Sequence, residues 1–175
     1  MDNWIIKETE FDPKALHHKE AVFTIGNGYL STRGAFEEGY PEETSSTLIH
    51  GVFDDIPVVY TELVNTPNWI NLVLFVDGER FRLDRGKLLD YRLELHLDNG
   101  VLARRVRWES PQGRIVELIF ERFASLHDPH LLGLRCQIEA VNFSGEIEVQ
   151  AAIPGHVGNE GWLHWRWRDL SLIHI

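Results

Sequence analysis

Cysteine and long apolar segments are the features that this sequence most clearly lacks. Its 175 residues include one cysteine, Cys136, so no disulfide can form within the chain and nothing favours an oxidising compartment. The longest apolar run, Leu72–Val76 with Ile70 just before it, is far too short to span a bilayer. The N-terminus has neither the basic segment nor the apolar segment of a signal peptide. We therefore expect a cytoplasmic globular protein with no membrane partner.

Positive charge is also scarce. Lys and Arg total 17 against 27 Asp and Glu, which gives a formal net charge of −10. Such a charge repels polyanions, so nucleic acid is not an expected partner. Hydrophobic residues make up 43% of the chain and aromatic residues 11%, which is enough to build a core and excludes a disordered tail.

Alternation with a period of two is the dominant pattern. It is clearest in residues 92–98, 132–140 and 146–153, where apolar and polar side chains take turns. Successive side chains of a strand point to opposite faces, so each segment has one face that can be buried and one that can be exposed to solvent. The pattern predicts an all-β antiparallel sandwich with strands near residues 3–8, 21–25, 30–34, 47–53, 58–64, 70–77, 79–83, 88–97, 101–109, 114–124, 131–142 and 146–153.

Turn residues separate these strands. Three short segments contain residue types that tolerate tight turns, namely Asp98-Asn99-Gly100, Ser110–Gly113 and Asp77-Gly78. A fourth segment, Asn142–Gly145, links the last two predicted strands. Helix is limited to about one turn near residues 13–18, begun by Asp12-Pro13. The polar, acidic segment 37–47 is predicted to be the main loop.

Most residues of catalytic types have an ordinary structural interpretation. The histidines lack zinc-site spacing, so His127 and His130 are interpreted as turn residues and no metal site is expected. Cys136 is interpreted as an inert core thiol. Gly26-Asn27-Gly28 lacks a strand–loop–helix context and is interpreted as a turn. Adjacent carboxylates point apart on a strand, so three pairs are interpreted as solvated loop residues: Glu37-Glu38, Glu42-Glu43 and Asp54-Asp55.

Two clusters combine amides with aromatic rings in a way that structural packing alone does not require. The first is Phe23–Gly34, which also contains the guanidinium of Arg33, and the second is Glu62–Trp69. Amides and Arg satisfy sugar hydroxyls, and an aromatic face stacks on pyranose C–H groups. The alternative is that these groups tie loops to a neighbouring domain. The candidate substrate-binding or domain-interface residues are Asn27, Tyr29, Arg33, Asn65, Asn68 and Trp69. Trp162, Trp165 and Trp167 form either a sugar platform or a hydrophobic patch that other parts of the chain cover.

Several longer stretches are specific enough to indicate a family. They are FTIGNGYLSTRGAFEEG (23–39), GVFDD (51–55), ELVNTPNW (62–69), VDGERFRLDRGKLLDYRLELHLDNGVLAR (76–104), RFASLHDPHLLGLRCQI (122–138) and NFSGEIEVQAAIPGHVGN (142–159). The sequence resembles the N-terminal domain of glycoside hydrolase family 65, in order, from Trp4 to about Trp167. A small departure is Ser31, where the family commonly has glycine.

The resemblance implies a supersandwich of the galactose mutarotase-like type, incomplete at its C-terminal end. In this family an (α/α)6 barrel follows in the same chain and carries the catalytic acid and the phosphate site, so no catalytic residue maps here. We expect residues 1–169 to be part of the N-terminal domain. The apolar ending Leu170–Ile175 resembles a translated sequencing-adapter tail, so we expect a fragment with a non-native terminus.

The resemblance also implies the reaction of the parent protein, an inverting α-glucoside phosphorylase that converts a disaccharide and inorganic phosphate into β-glucose 1-phosphate and a sugar. It implies no cofactor beyond phosphate as co-substrate, and a homodimer at full length. The chain itself would be a non-catalytic scaffold. Two alternatives stay open, namely a family 65 hydrolase of trehalose or another α-glucoside, and an autonomous carbohydrate-binding module.

Overall fold

The computed structural model describes residues 4–41, 43, 45–56, 60–159 and 162–165. A 3-10 turn at Pro13–Ala15 leads into helix α1 (Leu16–Val22). The strands are β1 (Ile5–Glu8), β2 (Ile25–Gly26), β3 (Leu30–Thr32), β4 (Thr47–Ile56), β5 (Tyr60–Asn65), β6 (Leu72–Val76), β7 (Glu79–Arg80), β8 (Lys87–His96), β9 (Val101–Glu109), β10 (Ile115–Ala124), β11 (Leu132–Ala140) and β12 (Ile147–Ala151).

The strands form three antiparallel sheets. The largest has the order β1-β8-β9-β10-β11, a second has β12-β6-β7, and a third has β2-β3-β4-β5. The predicted all-β antiparallel sandwich is confirmed. Three predicted turns are confirmed as well, because Gly78, Gly100 and Gly113 have φ between 70° and 83° at the β6–β7, β8–β9 and β9–β10 connections.

The core lies where β6 packs on the inner face of the five-stranded sheet. Leu72, Leu74 and Val76 of β6 are buried with inward-facing residues of β8, β9 and β10. Trp108 is the largest side chain that is completely buried, and its indole Nε1 donates a hydrogen bond to the Arg85 carbonyl oxygen at 2.6 Å. The alternation of β9 and β10 therefore buries one face of each strand, as the sequence predicts.

The helix is longer than the sequence pattern predicts, and the strand predicted at 21–25 is wrong over its first half. The Asp12 carboxylate accepts a hydrogen bond from the Lys14 backbone amide at 2.9 Å, so the predicted start at Asp12-Pro13 is confirmed. The helix then continues through Val22 and buries Leu16 and Glu20. Burial of these two residues, one helical turn apart, outweighs the strand preference of the β-branched Val22.

The last two strands, β11 and β12, do not have the fully buried face that the alternating pattern predicts. Leu132, Leu134, Cys136 and Ile138 of β11 are half-buried, and Val149 of β12 is 48% exposed. The loop at Asn142–Gly145 carries the chain from one sheet to another, so β11 and β12 are edge strands of different sheets. Their inner faces lack a covering layer within the described part of the chain.

Some sequence predictions fall outside the described residues. These are the tail 170–175, Trp167, Glu42 and the first part of the strand predicted at 58–64. Among the described residues, no helix has the length and hydrophobicity needed to cross a bilayer.

Candidate functional site

A polar pocket of about 380 Å³ brings together two of the six predicted site residues, Arg33 and Asn65. Its walls come from α1, the end of β3, β5 and the segment that follows β12. Tyr60 and Glu62 also line it, so one pocket combines a guanidinium, an amide, a carboxylate and a phenol ring. These are groups that pair with the hydroxyls and C–H faces of a sugar.

Arg33 is held in this pocket by two residues of α1, His17 and Glu20. Its Nη2 lies 3.3 Å from a Glu20 carboxylate oxygen and donates to the His17 carbonyl oxygen at 3.1 Å. Gly34 allows this approach, because its backbone amide donates to the Glu20 carbonyl oxygen at 2.8 Å and a Cβ there would lie 2.8 Å from Phe23 Cβ. A larger residue at 34 would move Arg33 away from the helix.

Glu20 is the most buried ionisable group of the pocket, with 3% of its side chain exposed. Burial raises the pKa of its carboxyl, and the charge of Arg33 partly opposes that rise. Glu20 Oε1 and Arg33 Nε are buried without a hydrogen-bond partner in the described chain.

Asn65 connects three segments beside the pocket. Its side-chain oxygen accepts from the Thr47 amide at 3.0 Å, and its side-chain nitrogen donates to the Ser45 carbonyl oxygen at 3.0 Å. Its backbone amide donates to Asn159 Oδ1 at 2.9 Å. Asn65 thus positions the pocket walls, with its amide already occupied.

The other half of the second cluster lies outside this pocket. The Asn68 side-chain oxygen accepts from the Ser45 hydroxyl at 3.0 Å and from the Ile70 amide at 3.2 Å. Trp69 Nε1 donates to the Thr32 hydroxyl at 3.0 Å. These contacts join the β5–β6 loop to β3 and to the segment before β4 within this chain, so they do not test whether Asn68 and Trp69 also contact a neighbouring domain.

In the first cluster, too, only one candidate residue, Arg33, lines the polar pocket, while Asn27 and Tyr29 lie outside it. The Asn27 oxygen accepts from the Tyr29 and Leu30 amides at 3.1 Å, while its nitrogen donates to the carbonyl oxygens of Ser125 and Pro129 at 2.8 and 3.0 Å. Gly26 ends β2, and Asn27 and Gly28, the latter with φ of +86°, begin the turn that leads to β3, so the interpretation as a turn is confirmed for Asn27 and Gly28. Tyr29 remains 37% exposed on a separate surface depression and contacts the His130 ring edge to face at 4.6 Å.

The interpretation of Glu37 and Glu38 as solvated loop residues is wrong. They are 4% and 2% exposed and pair with two buried arginines, Arg104 and Arg122. Arg104 donates to Glu38 Oε1 at 2.8 Å and to Glu37 Oε2 at 2.7 Å, and Arg122 Nη1 lies 3.1 Å from Glu37 Oε1. We call these four residues the buried charge cluster.

Aromatic rings complete the surroundings of Arg104. The centre of its guanidinium lies 4.4 Å from the Phe36 ring centroid and 4.5 Å from that of Phe120. Burial by itself lowers the pKa of Arg104, but the charges of Glu38 and Glu37 outweigh it and raise the pKa above its ordinary value. The arginine therefore stays charged in the core.

The sequence contains a signal for the buried charge cluster, namely two arginines at core-facing positions of strands. Arg104 stands at an inward position of the alternating series Leu102, Val106, Trp108, and Arg122 ends the inward series Val116, Leu118, Phe120. A charge at a core-facing strand position needs a buried partner. The adjacent glutamates could not be identified as that partner, because they are more than sixty residues away in the chain.

Glu43 is a third carboxyl for which the solvated-loop interpretation is wrong. Its Oε1 accepts the Phe36 backbone amide at 2.8 Å. Burial raises its pKa to about 8, although that hydrogen bond opposes the rise. The folded protein therefore holds a proton on Glu43 at neutral pH. Asp54 and Asp55, by contrast, are exposed as predicted, but they lie within strand β4 and not in a turn.

The structure agrees with the interpretations of Cys136 as a core thiol and of two histidines as turn residues. Cys136 packs at the edge of the core, and burial raises its pKa to about 11, so the thiol is protonated and unreactive as predicted. His127 and His130 lie in the turn between β10 and β11, where the Asp128 carboxylate accepts the His130 amide at 3.0 Å. Within the described ranges, no three His, Cys, Asp or Glu side chains are grouped to hold a metal ion.

Comparison with known proteins identifies the family. The model of the glycosyl hydrolase family 65 N-terminal domain matches residues 6–174. The chain belongs to glycosyl hydrolase family 65. It is 41% identical over 163 residues to kojibiose phosphorylase of Halothermothrix orenii, covering 93% of this chain and 21% of that protein. It is 37% identical over 174 residues to α,α-trehalose phosphorylase of Thermoanaerobacter brockii, covering 91% and 22%.

A solved structure supports the same fold for this family 65 chain. It is that of a protein assigned as a kojibiose phosphorylase, from the human microbiome, with a TM-score of 0.87 and 21% identity. The match covers 97% of this chain and 24% of that one. The chain thus spans about a fifth of the length of the curated relatives it matches.

The buried charge cluster predicts a large stability loss on removal of one partner. Arg104→Met leaves Glu38 without a cation in the core, so we expect unfolding free energy to fall by about 3–5 kcal/mol. The matched control is Arg135→Met, which breaks the exposed pair with Glu121 and should cost less than about 1 kcal/mol. Urea denaturation measures both. Equal effects of the two variants would contradict the buried pairing.

Glu43 predicts a pH dependence of stability. Its pKa is raised on folding, so its contribution is complete below its unfolded pKa and is lost as pH rises through about 8. Glu43→Gln, which resembles the neutral acid, should remove this loss and be more stable than wild type at pH 9. Urea midpoints from pH 5 to 9 test this, with the exposed Glu139→Gln as control. Parallel pH profiles for wild type and Glu43→Gln would contradict it.

Proposed function

We propose that this chain is the N-terminal β-sandwich of an inverting α-glucoside phosphorylase and supplies no catalytic group. The observation that supports this most directly is the match of the family 65 N-terminal domain over residues 6–174. The names of the relatives supply the reaction class, since kojibiose, trehalose and maltose phosphorylases are all among them. The chain covers 20–23% of these phosphorylases, and the rest of such a protein would carry the catalytic (α/α)6 barrel.

The proposed reaction needs one carboxylic acid and one phosphate. The acid protonates the leaving glycosidic oxygen, while phosphate attacks the anomeric carbon from the opposite face and gives β-glucose 1-phosphate. Phosphate takes the place of the base-activated water of an inverting hydrolase. The co-substrate is inorganic phosphate, and the chemistry requires no organic cofactor or metal ion.

The buried carboxyls of this chain are poorly suited to act as that acid. Glu37 and Glu38 are ion-paired with Arg104 in the core, where protonation would break the pairs. Glu43 is half-buried and carries a raised pKa, but its Oε1 accepts the Phe36 backbone amide, which fixes the carboxyl against its own chain. Their arrangement supports a structural role for the three carboxyls.

A scaffold role is supported by exposed apolar side chains at the two edge strands β11 and β12. Leu131, just before β11, is 50% exposed, and Val149 and Ile153, on and just after β12, are 48% and 70% exposed. Large exposed apolar side chains at incompletely covered strands suit a surface that another part of the protein covers. We propose that the remainder of the same polypeptide packs here.

Location and oligomeric state are part of the same proposal. A single, half-buried cysteine suits the reducing cytoplasm, where we place the enzyme. The homodimer that the family resemblance implies stays a prediction for the full-length protein.

The polar pocket is the proposed place for a direct contact with an α-glucoside or with the barrel. Arg33 is 38% exposed there, and Tyr60 offers a ring that is 53% exposed. Asn27, Asn65, Asn68 and Trp69 would support the site through the loops they anchor, and Tyr29 would contribute to an adjacent surface.

Phosphorolysis assays test the main proposal. The full-length enzyme should release β-glucose 1-phosphate from kojibiose, trehalose or maltose in the presence of phosphate, with the anomer identified by NMR. The 175-residue chain should be inactive under the same conditions. Hydrolysis without phosphate dependence would identify a hydrolase instead, and phosphorolysis by the 175-residue chain would overturn its non-catalytic role.

Calorimetry separates a scaffold from an autonomous sugar-binding module. As a scaffold, the 175-residue chain should give no binding heat with millimolar glucose disaccharides. Binding that Arg33→Ala abolishes, and that the exposed control Arg135→Ala leaves intact, would establish the module.

A further inference from the structure

The side of the five-stranded sheet that points away from β6 is open to solvent, and we call it the outer face. Along β8, β9 and β10 its residues alternate with those of the core. A groove of about 510 Å³ crosses this face, and its walls include Leu89, Asp90, Arg105, Arg107, Glu117 and Ile119. Charged and aliphatic side chains are therefore accessible together at the middle of the sheet.

Four cations of the outer face have a carboxylate partner on the same face. The pairs are Lys7–Glu94, Arg92–Glu94, Arg107–Glu117 and Arg135–Glu121. All but one of these pairs join neighbouring strands, and the exception joins two residues of β8. These charges are thus neutralised within the chain.

Arg105 and Asp90 differ from these pairs. Both are exposed and both line the groove, yet within the described ranges neither side chain takes part in an ion pair or a hydrogen bond. The strand register explains why. The residue directly opposite Arg105 on β8 is another cation, Arg92, while Asp90 is opposite Arg107, whose Nη1 lies 3.2 Å from Glu117 instead.

The position of Arg105 is electrostatically unfavourable in a single chain. Like charges that lie directly opposite each other on neighbouring strands destabilise a sheet, and Arg105 and Arg92 are such a pair. Arg92 lies 3.7 Å from Glu94, but Arg105 has no such neighbour among the described residues. A carboxylate supplied from outside the chain would offset this repulsion.

A simple anion is a poor occupant of the groove. Asp90 and Glu117 would repel it, and so would the formal net charge of −10 of the whole chain. A surface that brings a carboxylate to Arg105 and a cation to Asp90 would satisfy both groups. A second copy of the outer face carries these two groups, and a twofold axis makes the contact reciprocal.

We infer that two copies of this chain associate through the outer face, with Asp90 of each copy paired to Arg105 of the other. The same charge pair then occurs twice in the dimer, and each incoming carboxylate also offsets the repulsion between Arg105 and Arg92. This surface specifies where the homodimer of the proposed function forms, and to that extent it rests on that homodimer.

The outer face has the size that a stable dimer needs. Strands β8, β9, β10 and β11 have nine or ten residues each. With about 3.3 Å per residue and about 4.8 Å between strands, they present a flat area of roughly 600 Å². A standard interface buries about 800 Å² per partner, which the relief of the side chains and the addition of β1 supply.

Apolar side chains surround the charges of the outer face. Leu89 is 37% exposed and Phe123 is 40% exposed. Phe123 lies across Gly133, its direct partner on β11, because glycine has no Cβ to displace the ring. The ring therefore covers the sheet at its edge and offers apolar area to a second sheet packed face to face.

The outer face is separate from the surface proposed for the rest of the polypeptide. Leu134 and Ile138 of β11 are half-buried on the opposite, inner face of the same sheet, where they pack against the core. The two sides of the sheet can therefore be covered at the same time, one by the remainder of the protein and the other by a second copy.

Sedimentation velocity over a concentration series tests this surface on the 175-residue chain. Wild type should show a monomer–dimer equilibrium. Arg105→Asp and Asp90→Arg should each raise the dissociation constant at least about a hundredfold, because two attractive pairs become repulsive. Both side chains are exposed, so the circular dichroism spectrum and the thermal midpoint should remain those of wild type.

Mixing the two variants makes the test specific. A heterodimer of Arg105→Asp with Asp90→Arg has opposite charges at both contacts, although each variant alone has like charges there. An equimolar mixture should therefore recover the association of wild type, and so should the variant that carries both substitutions. The controls Lys14→Glu and Glu146→Arg change exposed charges outside the outer face and should leave association unchanged.

Three results would each overturn the inference. They are a wild-type chain that stays monomeric, a dimer that neither Arg105→Asp nor Asp90→Arg weakens, and a mixture of the two variants that does not associate. The phosphorolysis assay reads the reaction and sedimentation reads the association, so failure of this surface and failure of the proposed reaction are separate outcomes.

Discussion

Four charges buried in the core constrain this domain more than any other interaction. Arg104 and Arg122 project from neighbouring strands of the five-stranded sheet, and Glu37 and Glu38 reach them from the segment after β3. An unpaired charge in such a place is very costly, so the segment around Glu37 must pack against the sheet whenever the sheet is folded. The cluster thereby ties the third sheet and α1 to the main one, and with them the pocket of Arg33 and Asn65.

A second constraint acts at the opposite end of the sequence. The strands β11 and β12 belong to different sheets and keep half-exposed inner faces, while the earlier strands enclose a dry core. A domain of this kind is suited to packing against further structure, in agreement with the share of the phosphorylases that the chain matches.

Local patterns accounted for the strands and for most of the turns. Alternation is a property of neighbouring residues, so β8, β9 and β10 and the glycine turns that join them follow from short windows of sequence. The exception was α1, where burial of Leu16 and Glu20 prevailed over the strand preference of Val22. For the candidate site, the pattern identified Arg33 and Asn65 as unusual polar residues, but it grouped them with Asn27 and Asn68, whose amides hold loops.

The sequence by itself determined the all-β class, the positions of most strands and, through long motifs, the family. Those properties depend on residue order and on short-range chemistry. Tertiary structure alone decided that Glu37 and Glu38 lie in the interior, that Glu43 is half-buried against the Phe36 amide, and that His164 meets two carboxylates about one hundred residues earlier. The energy of a charge depends on what surrounds it in space, and residues distant in the sequence provide those surroundings.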